Sequence, residues 1–379
     1  MKRKKIKTIM RQPKPLRVII AGGGTGGHVF PAIAIALAIR KKVYNAQILF
    51  VGAKGRMEMT KVPAAGFHII GLNIAGIQRR LTWKNLQVPF KLIDSLIRSK
   101  NIVKRFKPDL VIGVGGYASG PLLWAATRQK VPVLIQEQNS YPGLTNRILG
   151  KHAEKICVAY EGMDRFFPKE KIFLTGNPIR KEVVSLEGKY ARGFEYFGLK
   201  ADKPVLLVTG GSLGARSINE SLAHNLRLFL FNDIQVIWQT GKWYYQTAKE
   251  QTSGLEKFGL HVSEFIDRMD YAYAVADIVV SRSGAIAVSE ICAVQKPAIL
   301  VPSPNVAEDH QTKNAMALAN HHAAILLPDA EAKEQLGPMV MELIFDENKK
   351  HRFKEKLAGL SYRDAADMIA GVALSISKR

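Results

Sequence analysis

Cysteine is almost absent from this chain. Cys157 and Cys292 lie far apart, each inside an apolar run, with no Cys or His at metal-ligand spacing. A disulfide framework is excluded, no metal site is expected, and a reducing cytosolic compartment fits. Long hydrophobic runs are missing as well. No stretch reaches the roughly 18 apolar residues that a membrane-spanning helix needs. The start, Met1 to Lys7, has the charge of a signal peptide, but Arg11, Lys14 and Arg17 interrupt the apolar segment that should follow. Residues 1–15 therefore read as a disordered basic tail. Acidic residues are scarce, 32 against 55 Lys and Arg, which leaves a net charge of +23. The deficit is local: residues 1–17 carry eight basic and no acidic residues, and residues 79–107 carry nine basic residues against Asp94 alone. Basic charge gathered in one half suggests an anionic surface as partner. Finally, no Asp-x-Asp pair occurs anywhere. Many nucleotide-sugar enzymes use such a pair to hold a divalent ion against the diphosphate.

What is present is an alternation of strands and helices long enough for two domains with proper cores. The class is α/β with parallel sheets. Strands are expected at Arg17–Ala21, Gln47–Val51, His68–Leu72, Asp109–Ile112, Val133–Ile135, Ile156–Ala159 and Ile172–Leu174. Helices are expected at Pro31–Lys41 and Leu86–Arg105. The pattern breaks around Gly176–Arg180 and restarts at Val205. Strands follow at Ile234–Trp238, Val262–Phe265, Ile278–Val280, Ala298–Val301 and Ala324–Leu327. The boundary falls near Pro178, giving domains of 16–178 and 179–359. The last helix, Tyr362–Ser377, has apolar residues at helical spacing and could pack on either domain.

Two glycine-rich phrases stand where an apolar strand meets a helix: Gly22-Gly-Gly-Thr-Gly-Gly27 and Gly210-Gly-Ser-Leu-Gly-Ala215. Bare N–H groups at a helix N-terminus make a phosphate site. The first phrase spells a dinucleotide fingerprint, which also needs an acid at the end of the second strand to hold a ribose. That strand ends Leu49 to Lys54 with no Asp or Glu, which counts against NAD; no cofactor is expected. His28 follows the first phrase. The helix dipole there disfavours its protonated ring. Two roles stand open for it: a base at a phosphate-lined cleft, or a residue that only shapes the loop. Without a metal, helix N-termini and a basic side chain must neutralise a diphosphate, and Arg180 at the domain hinge is the best-placed cation.

Several phrases in order resemble the MurG family of glycosyltransferases: Gly23–Pro31, Gly115–Pro121, Gln136–Asn139, Thr175–Arg180, Gly210–Ala215, Ser281–Glu290 and Asp309–Ala315. That family adds N-acetylglucosamine to the lipid-linked muramoyl-pentapeptide precursor of peptidoglycan. The resemblance, over roughly 16–375, implies the GT-B architecture of two Rossmann-like domains around a deep cleft, with the C-terminal helix (360–379) crossing back to the first domain. It implies UDP-N-acetylglucosamine as donor and undecaprenyl-pyrophosphoryl-muramoyl-pentapeptide as acceptor. It also implies a peripheral place on the cytoplasmic face of the inner membrane. Carried over, Ser212 would hold the diphosphate, Arg180 would contact the nucleotide and Ile266 would read the uracil edge. Glu290 would accept from the ribose. Ala285, Ile286, Ala287, Val288, Ser289 and Glu290 would form a helix N-terminus aimed at the diphosphate. Gln311 and Asn139 would bond the sugar. Thr25, Gly26 and Gly27 would face the diphosphate and the acceptor's pyrophosphate. Gly24, His28, Tyr117 and Glu137 would lie on the acceptor side, with His28 as base and Glu137 as its rival. The basic tail is outside the family pattern.

The membrane is expected to be met by an apolar and aromatic surface ringed by cations: Ile77, Arg79, Arg80, Leu81, Trp83 and Lys84. The helix after Leu92 is expected to pack on the core and present a solvated basic face. Two other readings stay open. One is a dehydrogenase or UDP-sugar 2-epimerase of similar plan. The other is a basic protein binding nucleic acid or membrane, for which two phosphate loops and sugar-suited amides would have no use; no nucleic-acid partner is expected.

Overall fold

The computed structural model describes residues 14–74, 88–211 and 213–378. The tail up to residue 13, Ser212, and Ile77, Arg79, Arg80, Leu81, Trp83 and Lys84 lie outside the described residues.

Two parallel sheets organise the chain. The first holds β1 (Arg17–Ala21), β2 (Gln47–Ala53), β3 (His68–Leu72), β4 (Leu110–Gly113), β5 (Val133–Glu137), β6 (Lys155–Val158) and β7 (Ile172–Leu174), in the order β3-β2-β1-β4-β5-β6-β7. The second holds β8 (Val205–Thr209), β9 (Gln235–Gln239), β10 (Leu260–Ser263), β11 (Ile278–Ser281), β12 (Ala298–Leu300) and β13 (Ile325–Leu326), in the order β10-β9-β8-β11-β12-β13. In each sheet the order reverses beside the first strand, at β1/β4 and at β8/β11, which opens a crevice at the carboxyl ends. The central strands are apolar on both faces because helices cover both. Val18 and Ile20 face one core of the first domain, Ile19 and Ala21 the other. Leu206 and Val208 divide from Val205 and Leu207 in the same way in the second.

Most expected elements lie within a residue or two of their places; the terminal helix starts at Ala365 rather than Tyr362. Three other departures, in extent, place or packing, have a physical cause. The first helix runs Gly26–Lys42 rather than from Pro31. It starts inside the glycine phrase, so Pro31 falls in its second turn. β10 lies two residues earlier than Val262–Phe265, because Gly259 (φ 89°) ends the preceding turn and Glu264 already bonds the neighbouring loop through Gly241 N–H. The helix Val88–Phe106 buries Ser95, Ser99 and Val103, while Phe90, Leu92, Ile93 and Ile97 are exposed. Small serines face the core along its first turns, with Ile102, Val103 and Phe106 packing inward only near its end, so the expectation of a core-packing helix holds for one face alone.

The chain passes between the domains twice, near 175–180 and near 360–364. The passages touch: a Cβ on Gly176 (φ 75°) would stand 2.2 Å from the Cβ of Tyr362. Lys181 on the first passage pairs with Asp364 and Asp367 beside the second. The terminal helix, Ala365–Ser375, then inserts Ala366, Ile369, Ala370 and Ala373 into the core that holds Val18 and Ile20.

Candidate active site

The carboxyl ends of β1 and β4 carry two glycine loops in direct contact. A Cβ on Gly116 would lie 2.3 Å from the carbonyl oxygen of Gly23, and one on Gly115 would lie 2.8 Å from His28 Nε2. Both glycines also have φ near +90°, so this close approach of backbone to imidazole needs glycine twice over. His28 sits in the first turn of its helix, and Nδ1 is 3.1 Å from Thr25 Oγ1. Enclosure of the ring, with His310 on the second domain pushing the same way, lowers its pKa from 6.5 to about 4. The imidazole is therefore neutral at neutral pH. The first-turn donors of Gly26 and Gly27 have no side-chain cap and are open to an anion. Tyr117 stands exposed at the rim.

Gly24 is different. Its N–H is held by Glu58, a buried carboxylate at the head of the helix Glu58–Ala64 that also accepts from Ala53. An acid does follow the second strand, but it supports the loop from beneath. It lies four positions beyond Lys54, on the next helix rather than at the strand's end, where a ribose-binding acid is expected.

Glu137, at the end of β5, is buried and accepts four hydrogen bonds, from Asn139 N and Nδ2, Gly143 N and Asn146 Nδ2. Burial pushes its pKa up while those donors pull the other way. All its acceptor directions serve the loop 139–146, which leaves little of it for a proton in the cleft. Asn139 is likewise engaged: its Oδ1 accepts from Asn314 Nδ2 of the second domain at 3.2 Å. Asn314 also accepts from Ser140 N and Oγ and donates to the carbonyl of Ser283. This buried amide stitches the domains together beside the cleft. It lies within the phrase Asp309–Ala315, but no residue type there distinguishes it from a surface asparagine.

In the second domain the helix Ala285–Val294 begins at Gly284 with no side-chain cap. The N–H groups of Ala285, Ile286 and Ala287 thus form a bare positive end, with Val288 and Ser289 in the next turn. Ser289 Oγ is tied to Asn177. Glu290 is buried, 3.7 Å from Arg180 and 3.3 Å from the hydroxyl of Tyr273. Burial raises its pKa, and Arg180 is the main opposing influence. The Arg180 guanidinium also lies 5.1 Å from the ring centroid of Phe30 in the first domain, so one linker cation touches both walls. Gln311 spends its Oε1 on Ser303 N at 2.9 Å; its Nε2 has no described acceptor. The N–H of Ile266 is taken by Gln239. The loop after β8 turns at Gly211 and Gly214, both with positive φ.

Two family models account for most of the chain: the glycosyltransferase family 28 N-terminal domain over residues 18–158 and its C-terminal domain over 205–369. The chain belongs to glycosyltransferase family 28, in its MurG group. Among relatives of this family-28 chain, a protein of Parabacteroides distasonis is 49% identical over 360 residues, 95% of this chain and 98% of that one. One of Cytophaga hutchinsonii is 52% identical over 368 residues, covering 97% and 98%. Both are named UDP-N-acetylglucosamine--N-acetylmuramyl-(pentapeptide) pyrophosphoryl-undecaprenol N-acetylglucosamine transferase. The crystal structure of Acinetobacter baumannii MurG superposes with a TM-score of 0.75 at 27% identity, over 95% of this chain and all of that one. A UDP-N-acetylglucosamine 2-epimerase reaches 0.66 at 16% identity over 97% and 98%. That likeness is one of fold alone.

Proposed function

We propose that this family-28 enzyme transfers N-acetylglucosamine from UDP-N-acetylglucosamine to the 4-hydroxyl of the muramoyl sugar of undecaprenyl-pyrophosphoryl-muramoyl-pentapeptide. The transfer is a single inverting displacement without a metal. Near-full-length identity of about half to transferases so named carries the reading. The disposition of charge supports it. The leaving diphosphate meets the bare end of the helix Ala285–Val294, the loop 210–215 with Ser212, and Arg180. Fixed donors of this kind stabilise developing charge without reorganising. Glu290 takes the ribose hydroxyls, the carbonyl of Ile266 takes the N–H of uracil, and Gln311 Nε2 bonds the sugar. On the opposite wall His28, neutral and beside the open donors of Gly26 and Gly27, removes the proton of the attacking hydroxyl. Thr25 orients its ring, and Gly24 and Tyr117 border the acceptor.

The acceptor lies in a membrane, and among the described residues no helix is long and apolar enough to cross one. On this reading the enzyme docks peripherally on the anionic cytoplasmic face of the inner membrane. The exposed Phe90, Leu92, Ile93 and Ile97 supply an apolar stripe for that contact, and in the sequence they follow shortly after Trp83 and the cations Arg79, Arg80 and Lys84.

The test is to supply the purified chain with UDP-N-acetylglucosamine and a short-chain acceptor analogue, with and without EDTA. UDP release that requires acceptor, persists in EDTA and yields a β-linked disaccharide is expected. Release without acceptor, or formation of N-acetylmannosamine, would overturn the assignment. Binding to anionic vesicles that weakens with salt is expected alongside it.

A further inference from the structure

One buried amide reaches both ends of the nucleotide site. Gln239, the last residue of β9, is 2% exposed. Its Nε2 donates to Thr209 Oγ1 and to the carbonyl of Gly211, each at 3.0 Å. Its Oε1 accepts the N–H of Ile266 at 2.9 Å. Thr209 Oγ1 in turn accepts from Gly211 N–H at 3.1 Å. A primary amide offers two donors and an acceptor, and here each is in use. The topology makes this reach possible. β9 lies between β8 and β10, so a side chain at its end can touch the loops after both neighbours.

Close packing reinforces the connection. A Cβ on Gly214 would lie 2.2 Å from the carbonyl of Thr240, and one on Gly241 would lie 2.4 Å from the N of Gly214. Gly241 N–H donates to the carbonyl of Glu264, two residues before Ile266. The loop at 210–215, the end of β9 and the loop at 264–266 thus form one continuous contact. Gln239 is thus bonded to both Gly211 and Ile266.

We propose that Gln239 is a positioning residue that couples recognition of the diphosphate to recognition of the base. The inference rests on the reading of this cleft as a UDP-sugar site. When phosphate oxygens order the Gly211 loop, the amide is fixed, and with it the peptide at Ile266 whose carbonyl meets the base. Base and diphosphate together therefore bind more tightly than either contact alone would provide.

The experiment compares uridine, UMP and UDP on the native chain, Gln239→Met and Thr209→Val by titration calorimetry, with donor KM and kcat measured in parallel. Met matches the volume of Gln and removes every polar contact; Val removes only the hydroxyl between Gln239 and Gly211. In Gln239→Met, UDP should weaken by about 30-fold and uridine by no more than about fivefold, as expected for buried hydrogen bonds lost at two places. In Thr209→Val, uridine should hold within about twofold while UDP weakens by about fivefold. The loss should fall on donor KM more than on kcat. Equal weakening of uridine and UDP in Gln239→Met would overturn the coupling, as would UDP affinity within about twofold of native in both variants. Should Gln239→Met lose its cooperative melt, Thr209→Val decides alone. Failure of the native chain to bind UDP at all would instead overturn the donor-site reading.

Discussion

Both carboxylate oxygens of Glu58 accept the backbone N–H of Gly24, at 3.0 and 3.1 Å, while Oε1 also holds Ala53 N–H at 2.9 Å. The first glycine loop is therefore partly filled by the protein's own anion. A Cβ on Gly23 would lie 2.1 Å from Glu58 Oε1, and one on Gly52 would lie 2.6 Å from its Cγ. Some of the glycines make room for Glu58, and the first-turn donors left for a ligand are those of Gly26 and Gly27, next to His28 in the chain.

Glu58→Leu should be costly for this reason. It strands the buried N–H of Ala53 and the half-buried N–H of Gly24, at about 1–3 kcal/mol for the buried one and less for the other. Glu58→Gln keeps one acceptor oxygen and should cost about 1 kcal/mol. Urea unfolding of the first domain measures both. A Leu variant as stable as the native chain would show that the carboxylate does not hold the loop. With Glu58→Gln, KM for the acceptor should rise more than KM for the donor.

The Arg180–Glu290 pair, 3.7 Å apart, makes donor affinity depend on pH. Burial holds the Glu290 carboxyl above its usual range, and Arg180 is the chief influence drawing it back. Arg180→Ala removes that influence, so Glu290 is protonated over a wider pH range and accepts less from a ribose. Donor KM should rise by about tenfold or more near neutral pH, the loss expected for a charge-assisted contact. It should recover in part as pH rises and the carboxylate re-forms. A variant whose donor KM grows worse toward alkaline pH would contradict this arrangement.

For His28 the pKa shift runs the other way. Its pKa is lowered from 6.5 to about 4, so the neutral, proton-accepting ring persists well below neutrality. At saturating donor, the acid limb of kcat/KM for the acceptor should fall near pH 4 to 5, with no inflection at the usual histidine value. The same shift bears on folding. The unfolded chain binds the proton first, so His28 lowers stability as pH falls between these two values. His28→Ala should reduce kcat by about 100-fold or more. Turnover within about tenfold of native would remove His28 as the base.

Much of the frame is legible because strand periodicity and glycine turns are local. Val18–Ala21 and Val205–Thr209 announce themselves as apolar runs that end in glycine, and both are buried central strands. The unread part is tertiary. Glu58, Asn314 and Gln239 are polar residues of ordinary type at ordinary spacing. Their meaning comes from what the fold brings against them: Gly24 from 34 positions away for Glu58, and Ser140 from 174 positions away for Asn314. No pattern along the chain encodes such partners. The helix Val88–Phe106 shows the converse. Its apolar stripe is plain in the sequence, but only its packing reveals that Ser95 and Ser99, rather than Phe90 and Ile97, face inward.

Ile369 offers a test of how the two domains share the chain. It follows, in sequence, the second-domain helix Glu347–Gly359, yet it is fully buried in the core with Leu16, Val18 and Ile20. Deleting its side chain to Ala leaves a cavity in that first-domain core, at a cost of about 2–5 kcal/mol. That core cluster includes no described residue of 179–359. Trp124 lies in the first domain, whereas Trp238 and Trp243 lie in the second, so fluorescence of single-tryptophan variants can follow the two transitions separately. With Ile369→Ala, the Trp124 transition should move to lower urea, while the Trp238 transition stays in place and still rises with UDP. Were the Trp238 transition to move instead, the terminal helix would be stabilising the domain it has left rather than the one it joins.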